Sequence, residues 1–187
     1  MRVIAGLHRG RRLLGPRGQA IRPTSDRVKE ALFSILGERI VGARVLDLYA
    51  GTGSIGIEAL SRGATHVTFV EADRVALRLV QSNLRQCGLE QSANVCACQV
   101  NQFFRRGTQW AGPYDVVFCD PPYDLRICNQ VLRVLDAEHF LTDGGIFIAE
   151  HDEREVVVDV EGWERQASRK RGGTVVDGPD DARRQVA

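Results

Sequence analysis

The chain alternates short apolar runs with segments of helical periodicity, and this order restricts its fold more than any other feature of the sequence. Runs of strand type occupy 44–49, 66–70, 94–98, 114–119 and 146–149, with further candidates at 155–160 and 173–176. Segments with helical spacing lie before and between them, at 26–36, 54–61, 73–87 and 126–138. The alternation predicts an α/β fold in which helices cover both faces of a mainly parallel sheet. Ligands of such sheets bind beyond the carboxyl ends of the strands, so the residues that follow each strand are the first site candidates.

The first strand ends in an acidic residue followed by a glycine-rich turn. Asp47 lies near the end of the strand, and Gly51 and Gly53 allow a sharp turn into the next helix. Gly56 completes the spacing G-x-G-x-x-G, so the turn alone is compatible with a dinucleotide or with S-adenosylmethionine. Glu71 ends the second strand, 24 residues after Asp47. A carboxylate there can accept two hydrogen bonds from the ribose hydroxyls of either ligand.

Charge at this edge favours S-adenosylmethionine. The Asp47 carboxylate attracts the ammonium and sulfonium groups of that cofactor, whereas it repels a pyrophosphate. Gln99 follows the third strand, where its side chain can hydrogen-bond the adenine amine. We therefore predict S-adenosylmethionine as the cofactor. The predicted contacts lie at three strand ends: Asp47, Tyr49, Gly51, Gly53, Ser54, Glu71, Ala72, Asp73, Gln99 and Val100.

The fourth strand ends in the tetrad Asp120-Pro121-Pro122-Tyr123, which fits the chemistry of an amino group on a nucleic-acid base. Such an amine is a poor nucleophile because its lone pair is delocalised into the ring. Asp120 and the Pro121 carbonyl can each accept one N–H, which holds the lone pair toward a methyl donor. The prolines fix the backbone without adding competing donors. Tyr123 offers a stacking face for the base, worth about 1–3 kcal/mol. We predict these four residues as catalytic and expect Asp120 to contact the cofactor as well.

The cysteine pattern argues against methylation at carbon 5 of cytosine, against disulfides and against a metal site. Methylation at carbon 5 of cytosine uses a cysteine nucleophile, usually in a Pro-Cys pair, and the chain has none. Cys119 directly precedes the tetrad and is predicted to lie inside the strand. The five cysteines are dispersed and odd in number, which predicts buried thiols rather than disulfides. No second cysteine or histidine pair completes a metal site, so we predict no metal.

The positive charge is concentrated at the N terminus, in a segment that we call the arm, residues 1–22. Residues 1–29 contain eight basic side chains and one acidic one, a net charge of +7 in a chain whose total is +1. Such a segment suits a polyanion, because each cation that neutralises a phosphate releases a counterion. We predict that the arm forms a basic hairpin on a domain that spans 23–187. The predicted RNA contacts are Arg2, Arg9, Arg11, Arg12, Arg17 and Arg27.

With these motifs together, the chain resembles the bacterial RsmD-type small-subunit ribosomal RNA guanine-N2 methyltransferases. The resemblance runs from Arg2 to about His151. Its motifs are R-V-I-A-G with R-G-R, R-P-T-S-D-R-V-K-E-A-L-F, D-L-Y-A-G-T-G, E-A-L-S-R-G-A, D-P-P-Y and E-H. The D-P-P-Y tetrad occurs across many amino-methyltransferases, so the R-P-T-x-D-R-V stretch discriminates best.

The resemblance implies a Rossmann-like, seven-stranded methyltransferase fold with a basic N-terminal extension. It implies methyl transfer to one guanine N2 of small-subunit ribosomal RNA, on an assembled or assembling particle. It also places Arg22 and Thr24 near the cofactor or the flipped nucleotide, whose removal from its stack costs a few kcal/mol. We expect a monomer. We expect it in the cytoplasm, since no apolar run approaches the roughly 20 residues of a membrane span and no secretory signal is evident.

Three other interpretations remain open from the sequence. The tetrad is compatible with methylation of adenine N6 or cytosine N4 in DNA, although no target-recognition domain for a duplex is evident. The arm is compatible with a non-catalytic assembly factor that only holds ribosomal RNA. The glycine spacing is compatible with a nicotinamide oxidoreductase, which NAD(H) rather than S-adenosylmethionine would stabilise.

Overall fold

A computed structural model describes residues 1–16, 26–105, 112–121, 125–152 and 174–177. The chain divides into two units, Met1–Trp110 and Ala111–Ala187. The helices and strands of the first unit are α1 (Asp26–Leu36), β1 (Arg44–Leu48), α2 (Ser54–Ser61), β2 (His66–Glu71), α3 (Arg74–Cys87), β3 (Ala93–Ala97) and α4 (Val100–Arg105). Those of the second unit are β4 (Tyr114–Cys119), α5 (Leu125–Ala137), β5 (Leu141–Asp152) and β6 (Thr174–Asp177). None of the described helices is long and apolar enough to cross a membrane.

In the first unit, β2 lies between β1 and β3, and all three strands are parallel. Leu48 pairs with Val70 and Glu71 pairs with Ala97, so the carboxyl ends of the strands meet at one edge. The strand interiors are apolar and buried, as at Val45 and Phe69, because helices pack against them: α2 contacts β1 and β2, and α3 contacts β3. The loops that leave this edge therefore start from a rigid base.

In the second unit, β4 and β5 are parallel, and β6 runs antiparallel to β5. The pairing of β4 with β5 is irregular: Tyr114 pairs with Leu141 and Val116 with Ile146, so extra residues of β5 bulge out of the ladder. Gly144, with φ of 73°, lies in that stretch and supplies a backbone conformation that other residues rarely adopt. The sequence pair Gly144-Gly145 predicts a turn that leads into the strand at 146–149, and this prediction is wrong, because β5 begins at Leu141 and continues through both glycines.

Most of the predicted elements are confirmed. The helices at 26–36 and 54–61 and the strand at 114–119 have the predicted limits. The other elements shift by one residue, except β5, which begins five residues earlier and ends three residues later than predicted. Helix α4 was not predicted. The candidate strand at 155–160 lies outside the described residues, which contain six strands, one of them antiparallel.

The described part of the arm folds back on itself through a single antiparallel bridge between Arg2 and Arg12. The Val3 amide donates to the Arg11 carbonyl at 2.9 Å, and the Gly10 amide donates to the Val3 carbonyl at 2.9 Å. These bonds form an isolated bridge rather than two paired strands, so the predicted basic hairpin is not confirmed.

Candidate functional site

Asp47 lies in β1 one residue before its end, and its carboxylate is buried with 4% of its surface exposed. Its Oδ2 accepts a hydrogen bond from the Gly56 amide at 3.0 Å. Gly56 is the third residue of α2, whose first amides have no partner within the helix. Gly53, the residue before the helix, makes no side-chain cap. Asp47 therefore caps α2 from the neighbouring strand and brings a buried negative charge to the strand end.

The three glycines of the G-x-G-x-x-G spacing have different roles. Gly56 packs α2 on the sheet, because a Cβ atom there would overlap the Phe69 ring and approach Val67 Cγ1 to 2.8 Å. Gly53 has φ of 76°, and its Cβ would lie 3.3 Å from Val80 Cγ1. Gly51 has φ of 57°, but its Cβ would meet only the Tyr49 carbonyl, at 3.9 Å. Gly51 is thus the position of the three where a ligand can approach the backbone.

The loop at residues 49–53, which we call the glycine loop, has a positive φ at Tyr49 as well as at its two glycines. Tyr49 has φ of 59°, which is uncommon for a residue with a side chain. Its side chain is half-buried, and Ser54, which follows the loop and begins α2, is buried. The turn out of β1 is therefore held in a conformation that costs free energy, as is frequent at ligand sites.

Glu71 connects the glycine loop to the end of β2. Its Oε2 accepts a hydrogen bond from the Gly51 amide, and its Oε1 accepts from the amides of Ala72 and Asp73, all at 2.8 Å. A carboxylate has about four acceptor positions, and three are occupied by these amides. Glu71 can accept about one further hydrogen bond without releasing the loop, so the predicted pair of ribose bonds requires a shared acceptor or a rearrangement.

Two other predicted cofactor residues, Asp73 and Gln99, differ in whether their side chains already make hydrogen bonds within the protein. Asp73 caps α3, because its Oδ1 accepts from the Val75 and Ala76 amides at 2.9 and 2.8 Å. The Gln99 backbone amide donates to Gln102 Oε1 at 3.3 Å at the start of α4. The exposed Gln99 side chain has no hydrogen-bond partner among the described residues. Gln99 is therefore able to bind a ligand, whereas the Asp73 carboxylate is engaged in the fold.

In the second unit, Asp120 directly follows β4, as predicted, and its side chain is exposed. Pro121 is buried. Pro122 and Tyr123 lie outside the described residues, as do Arg17, Arg22 and Thr24. Cys119 is the last residue of β4 and is 1% exposed, which confirms that it lies inside the strand. Its Sγ is 3.9 Å from that of Cys128. Among the residues with assigned positions, no cluster of His, Cys, Asp and Glu is arranged to hold a metal ion.

The arm is docked on the first unit by polar side chains that the sequence analysis did not identify. Glu58 is fully buried in α2, and its two carboxylate oxygens accept from the amides of Ile4 and Ala5 at 2.7 and 3.0 Å. Ser61 Oγ donates to the Ala5 carbonyl at 2.6 Å and accepts from the His8 amide at 3.0 Å. One signal for this docking was present in the sequence: Glu58 is a charged residue at a buried position of the largely apolar helix α2.

Two cations surround the buried Glu58. Arg62 Nε lies 2.7 Å from Glu58 Oε1, and its guanidinium stacks 4.7 Å from the centre of the Phe33 ring. Lys29 is also fully buried, 4.0 Å from Glu58 Oε2, and donates to the Arg2 carbonyl at 2.6 Å. Burial lowers the pKa of Lys29, and the nearby Glu58 opposes this only in part. The buried charges are compensated by each other and by the arm backbone.

Asn83 joins the arm to the glycine loop. Its side chain is fully buried in α3, and its Oδ1 accepts from the Leu14 amide at 2.7 Å. Its Nδ2 donates to the Leu14 carbonyl at 3.1 Å and to the Thr52 carbonyl at 3.0 Å. Both N–H groups and the carbonyl oxygen are therefore used to hold two separate backbone segments.

The predicted RNA contacts in the described residues are exposed, but two have partners in the protein. Arg2 forms an ion pair with Asp26 at 3.1 Å, and Arg11 donates to the Gln86 carbonyl near the end of α3. The side chains of Arg9, Arg12 and Arg27 have no partner among the described residues. Within the described part of the chain, these three are the predicted contacts whose charge is not compensated by an ion pair.

The loops after β1 and β2 suit a nucleotide cofactor, and comparison with known proteins defines the class. A solved structure described as "Putative methyltransferase yhhF from Escherichia coli" aligns with a TM-score of 0.85 and 29% identity, covering 97% of this chain and 98% of that one. The chain has the Rossmann-like fold of the S-adenosylmethionine-dependent methyltransferases.

The family follows from the sequence. The family model described as "Conserved hypothetical protein 95" matches residues 1–177. "Putative rRNA methyltransferase YlbH" of Bacillus subtilis is 40% identical over 156 residues, 83% of this chain and 84% of that protein. "Ribosomal RNA small subunit methyltransferase D" of Haemophilus influenzae is 36% identical over 165 residues, 87% and 84% of the two chains. The chain belongs to this family of methyltransferases, and its cofactor is S-adenosylmethionine.

Proposed function

We propose that the protein transfers a methyl group to the N2 of one guanine in small-subunit ribosomal RNA. The observation that carries the proposal is the cofactor edge of the first unit, built from Asp47, Gly51 and Glu71, in a chain of this family. The sequence Asp120-Pro121-Pro122-Tyr123, which follows β4, supports an amino group as the methyl acceptor. The relatives named as small-subunit ribosomal RNA methyltransferases support the choice of RNA.

The residues of the first unit fit S-adenosylmethionine. The buried Asp47 supplies a negative charge for its ammonium and sulfonium groups, Gly51 leaves the loop backbone open, and Gln99 keeps a free amide for adenine. Glu71 has acceptor capacity left for a ribose hydroxyl. The bound cofactor supplies an electrophilic methyl group on a positively charged sulfur. The protein's task is then to bind and orient both reactants, which can contribute on the order of 7–11 kcal/mol.

Asp120 and Pro121 would hold the acceptor amine. One N–H donates to the Asp120 carboxylate and the other to the Pro121 carbonyl, so the nitrogen lone pair is directed at the methyl carbon. The nitrogen would take the methyl group with this lone pair and would lose a proton only afterwards, so Asp120 would orient the amine without acting as a strong base. Tyr123 would stack on the flipped guanine.

The arm is proposed as the RNA-contacting extension of a methyltransferase domain that spans 23–187, with the seven-stranded sheet of its family. Its anchors place Arg9 and Arg12 in solvent with no protein partner in the described residues. We propose a monomer that acts on the small subunit or an assembly intermediate. A cytoplasmic location follows from that substrate.

Labelled S-adenosylmethionine and small ribosomal subunits from a strain that lacks this protein test the proposal. Nucleoside analysis should find the label in N2-methylguanosine. Label in N6-methyladenine or N4-methylcytosine would overturn the proposed acceptor while it keeps the amine chemistry. Absence of transfer despite cofactor binding would favour a non-catalytic assembly factor.

Asp120→Ala should lower the rate of transfer at least about 100-fold and leave cofactor affinity within about twofold, because the lost group positions the acceptor amine. Asp143→Ala is the matched control, since it removes an exposed carboxylate elsewhere in the second unit. Equal rates for the two variants would remove Asp120 from the acceptor site.

A further inference from the structure

We propose that Asn83 is a positioning residue that couples the arm to the glycine loop, so that cofactor bound on the loop and RNA bound on the arm strengthen each other's binding. The inference rests on the proposed function, which assigns the cofactor to the loop and RNA to the arm. It concerns a residue that lies on α3 and belongs to neither surface.

The first step of the argument is the geometry of the Asn83 amide. It makes three hydrogen bonds, at 2.7, 3.0 and 3.1 Å, and all three end on backbone atoms rather than on side chains. Two go to Leu14 of the arm and one to Thr52 of the glycine loop. A displacement of either segment therefore breaks a hydrogen bond of a buried amide and leaves one of its polar groups unsatisfied.

The second step is the position of Thr52. It lies between Gly51 and Gly53, the two loop residues with positive φ, and the Gly51 amide is held by Glu71 at 2.8 Å. Thr52 Oγ1 also lies 3.6 Å from the Met1 sulfur, which is a second contact between loop and arm. The glycine loop is thus held at Gly51 by Glu71, and it contacts the arm at Thr52 through Met1.

The third step is the contrast with Gln86, one helical turn farther along α3. Gln86 Nε2 donates to the Arg12 carbonyl at 3.0 Å, so this residue also anchors the arm. It is exposed and has no bond to the glycine loop among the described residues. Gln86 holds the arm alone, whereas Asn83 holds the arm and the loop together.

Coupling between two binding events is reciprocal, and typical values change affinity by about 5–150-fold. A cofactor that fixes the glycine loop also fixes the Thr52 carbonyl, and through Asn83 it fixes Leu14. The arm is then ordered before RNA arrives, so RNA binding orders less of the chain. The same bonds carry the effect from RNA to the loop.

Hydrogen exchange of the full-length protein with and without S-adenosylhomocysteine tests this inference without RNA. In the wild type, the ligand should slow exchange at the glycine loop and also, at least about fivefold, at the arm amides 3–14. Asn83→Ser should keep the slowing at the loop and lose it at the arm. Gln86→Ala should raise arm exchange overall but keep the ligand-dependent slowing, which separates coupling from a general loosening of the arm.

The outcomes are distinguishable. Loop protection with no arm protection in the wild type overturns the inference even if Asn83→Ser does not fold. Equal arm protection in Asn83→Ser and the wild type overturns it as well. Absence of loop protection in every protein would instead contradict the proposed cofactor site. Arm protection that is lost in Asn83→Ser and kept in Gln86→Ala supports the coupling.

Discussion

At the scale of single residues, Asp47 shows why an acidic residue suits the end of β1. Its Oδ2 satisfies the Gly56 amide, and the positive end of the α2 dipole favours a negative charge there. The fold thereby compensates for part of the cost of burying the carboxylate. We propose that the same side chain also attracts the cationic groups of the cofactor.

Asp47→Asn separates these two roles. The Asn carbonyl can still accept from the Gly56 amide, so the free energy of unfolding should change by less than about 1 kcal/mol. Affinity for S-adenosylmethionine should fall at least about tenfold, because an attraction to a cation at close range is lost. The fall should be smaller for S-adenosylhomocysteine, whose sulfur is uncharged. Calorimetric titration with both ligands measures the difference, and equal losses would contradict a role for Asp47 toward the sulfonium.

Gly56 illustrates a packing constraint that is independent of ligand binding. Gly56→Ala should lower the free energy of unfolding by about 1–3 kcal/mol, because the added methyl group would overlap Phe69 and approach Val67 in a tightly packed region. Gly51→Ala is the informative partner variant, since its methyl group meets only a carbonyl and its cost is mainly the positive φ, about 1–2 kcal/mol. Urea unfolding measures the stability of both. Gly51→Ala, and not Gly56→Ala, should also weaken cofactor binding in the folded protein.

At the scale of elements, the arm behaves as a part of the first unit. Its backbone supplies the hydrogen-bond partners of Glu58, Ser61 and Asn83, which lie on two helices. Gly6 approaches α2 so closely that a Cβ atom would overlap the Ser61 carbonyl. A side chain at that position would therefore push the arm off α2.

Glu58→Ala tests this docking. It should lower the free energy of unfolding by about 3–5 kcal/mol, because it leaves the Lys29 ammonium buried beside two unpaired amides of the arm. Glu90→Ala is the matched control: Glu90 is exposed and pairs with Arg85 at 3.5 Å, so its loss should cost less than about 1 kcal/mol. Urea unfolding gives both values. Similar small losses in the two variants would show that the arm is not held by Glu58.

Lys29 makes the stability of this docking depend on pH. Its pKa is lowered by burial in the folded protein, below the ordinary value of 10.5. Between the two values the unfolded chain binds more protons, so stability rises with pH in that window. Lys29→Met should flatten the rise, which urea unfolding at about pH 8 and about pH 10 can measure for both proteins. An equal rise in Lys29→Met and the wild type would assign the dependence to other groups.

Local signals explain which elements were predictable. Gly37 and Gly63 end apolar periodic segments, so α1 and α2 have the predicted limits. The pair Gly144-Gly145 gives the same signal but lies inside β5, because pairing with β4 overrides the local preference. The backbone groups of the arm that Glu58 and Asn83 bind are 53 to 69 positions away in the sequence. No local pattern specifies such contacts, so the strand-end residues of the site were predictable and the anchors of the arm were not.

At the scale of the whole molecule, charge is distributed unevenly along the chain. The first 29 residues carry +7 and the rest carry a net negative charge, since the total is +1. The fold neutralises some of the N-terminal charge internally, through the pairs of Arg2 with Asp26 and of Lys29 with Glu58. Arg9 and Arg12 remain exposed without a partner among the described residues. The structure thus identifies which basic residues are available to phosphates.

The salt dependence of RNA binding can distinguish direct phosphate contacts of Arg9 and Arg12 from a nonspecific effect of the protein's overall charge. Each arginine that neutralises a phosphate contributes about 0.7 to 0.9 to the slope of log affinity against log salt concentration. Replacement of both Arg9 and Arg12 by Ala should therefore weaken binding to small ribosomal subunits and flatten the slope by about 1.4 to 1.8. Arg85→Ala, which removes an exposed arginine paired with Glu90, should leave the slope unchanged. Fluorescence titrations over a range of salt concentrations measure the slopes. An equal change for Arg85→Ala would mean that the protein binds RNA through its overall charge, whereas an unchanged slope in the double variant would remove the arm from the RNA contact.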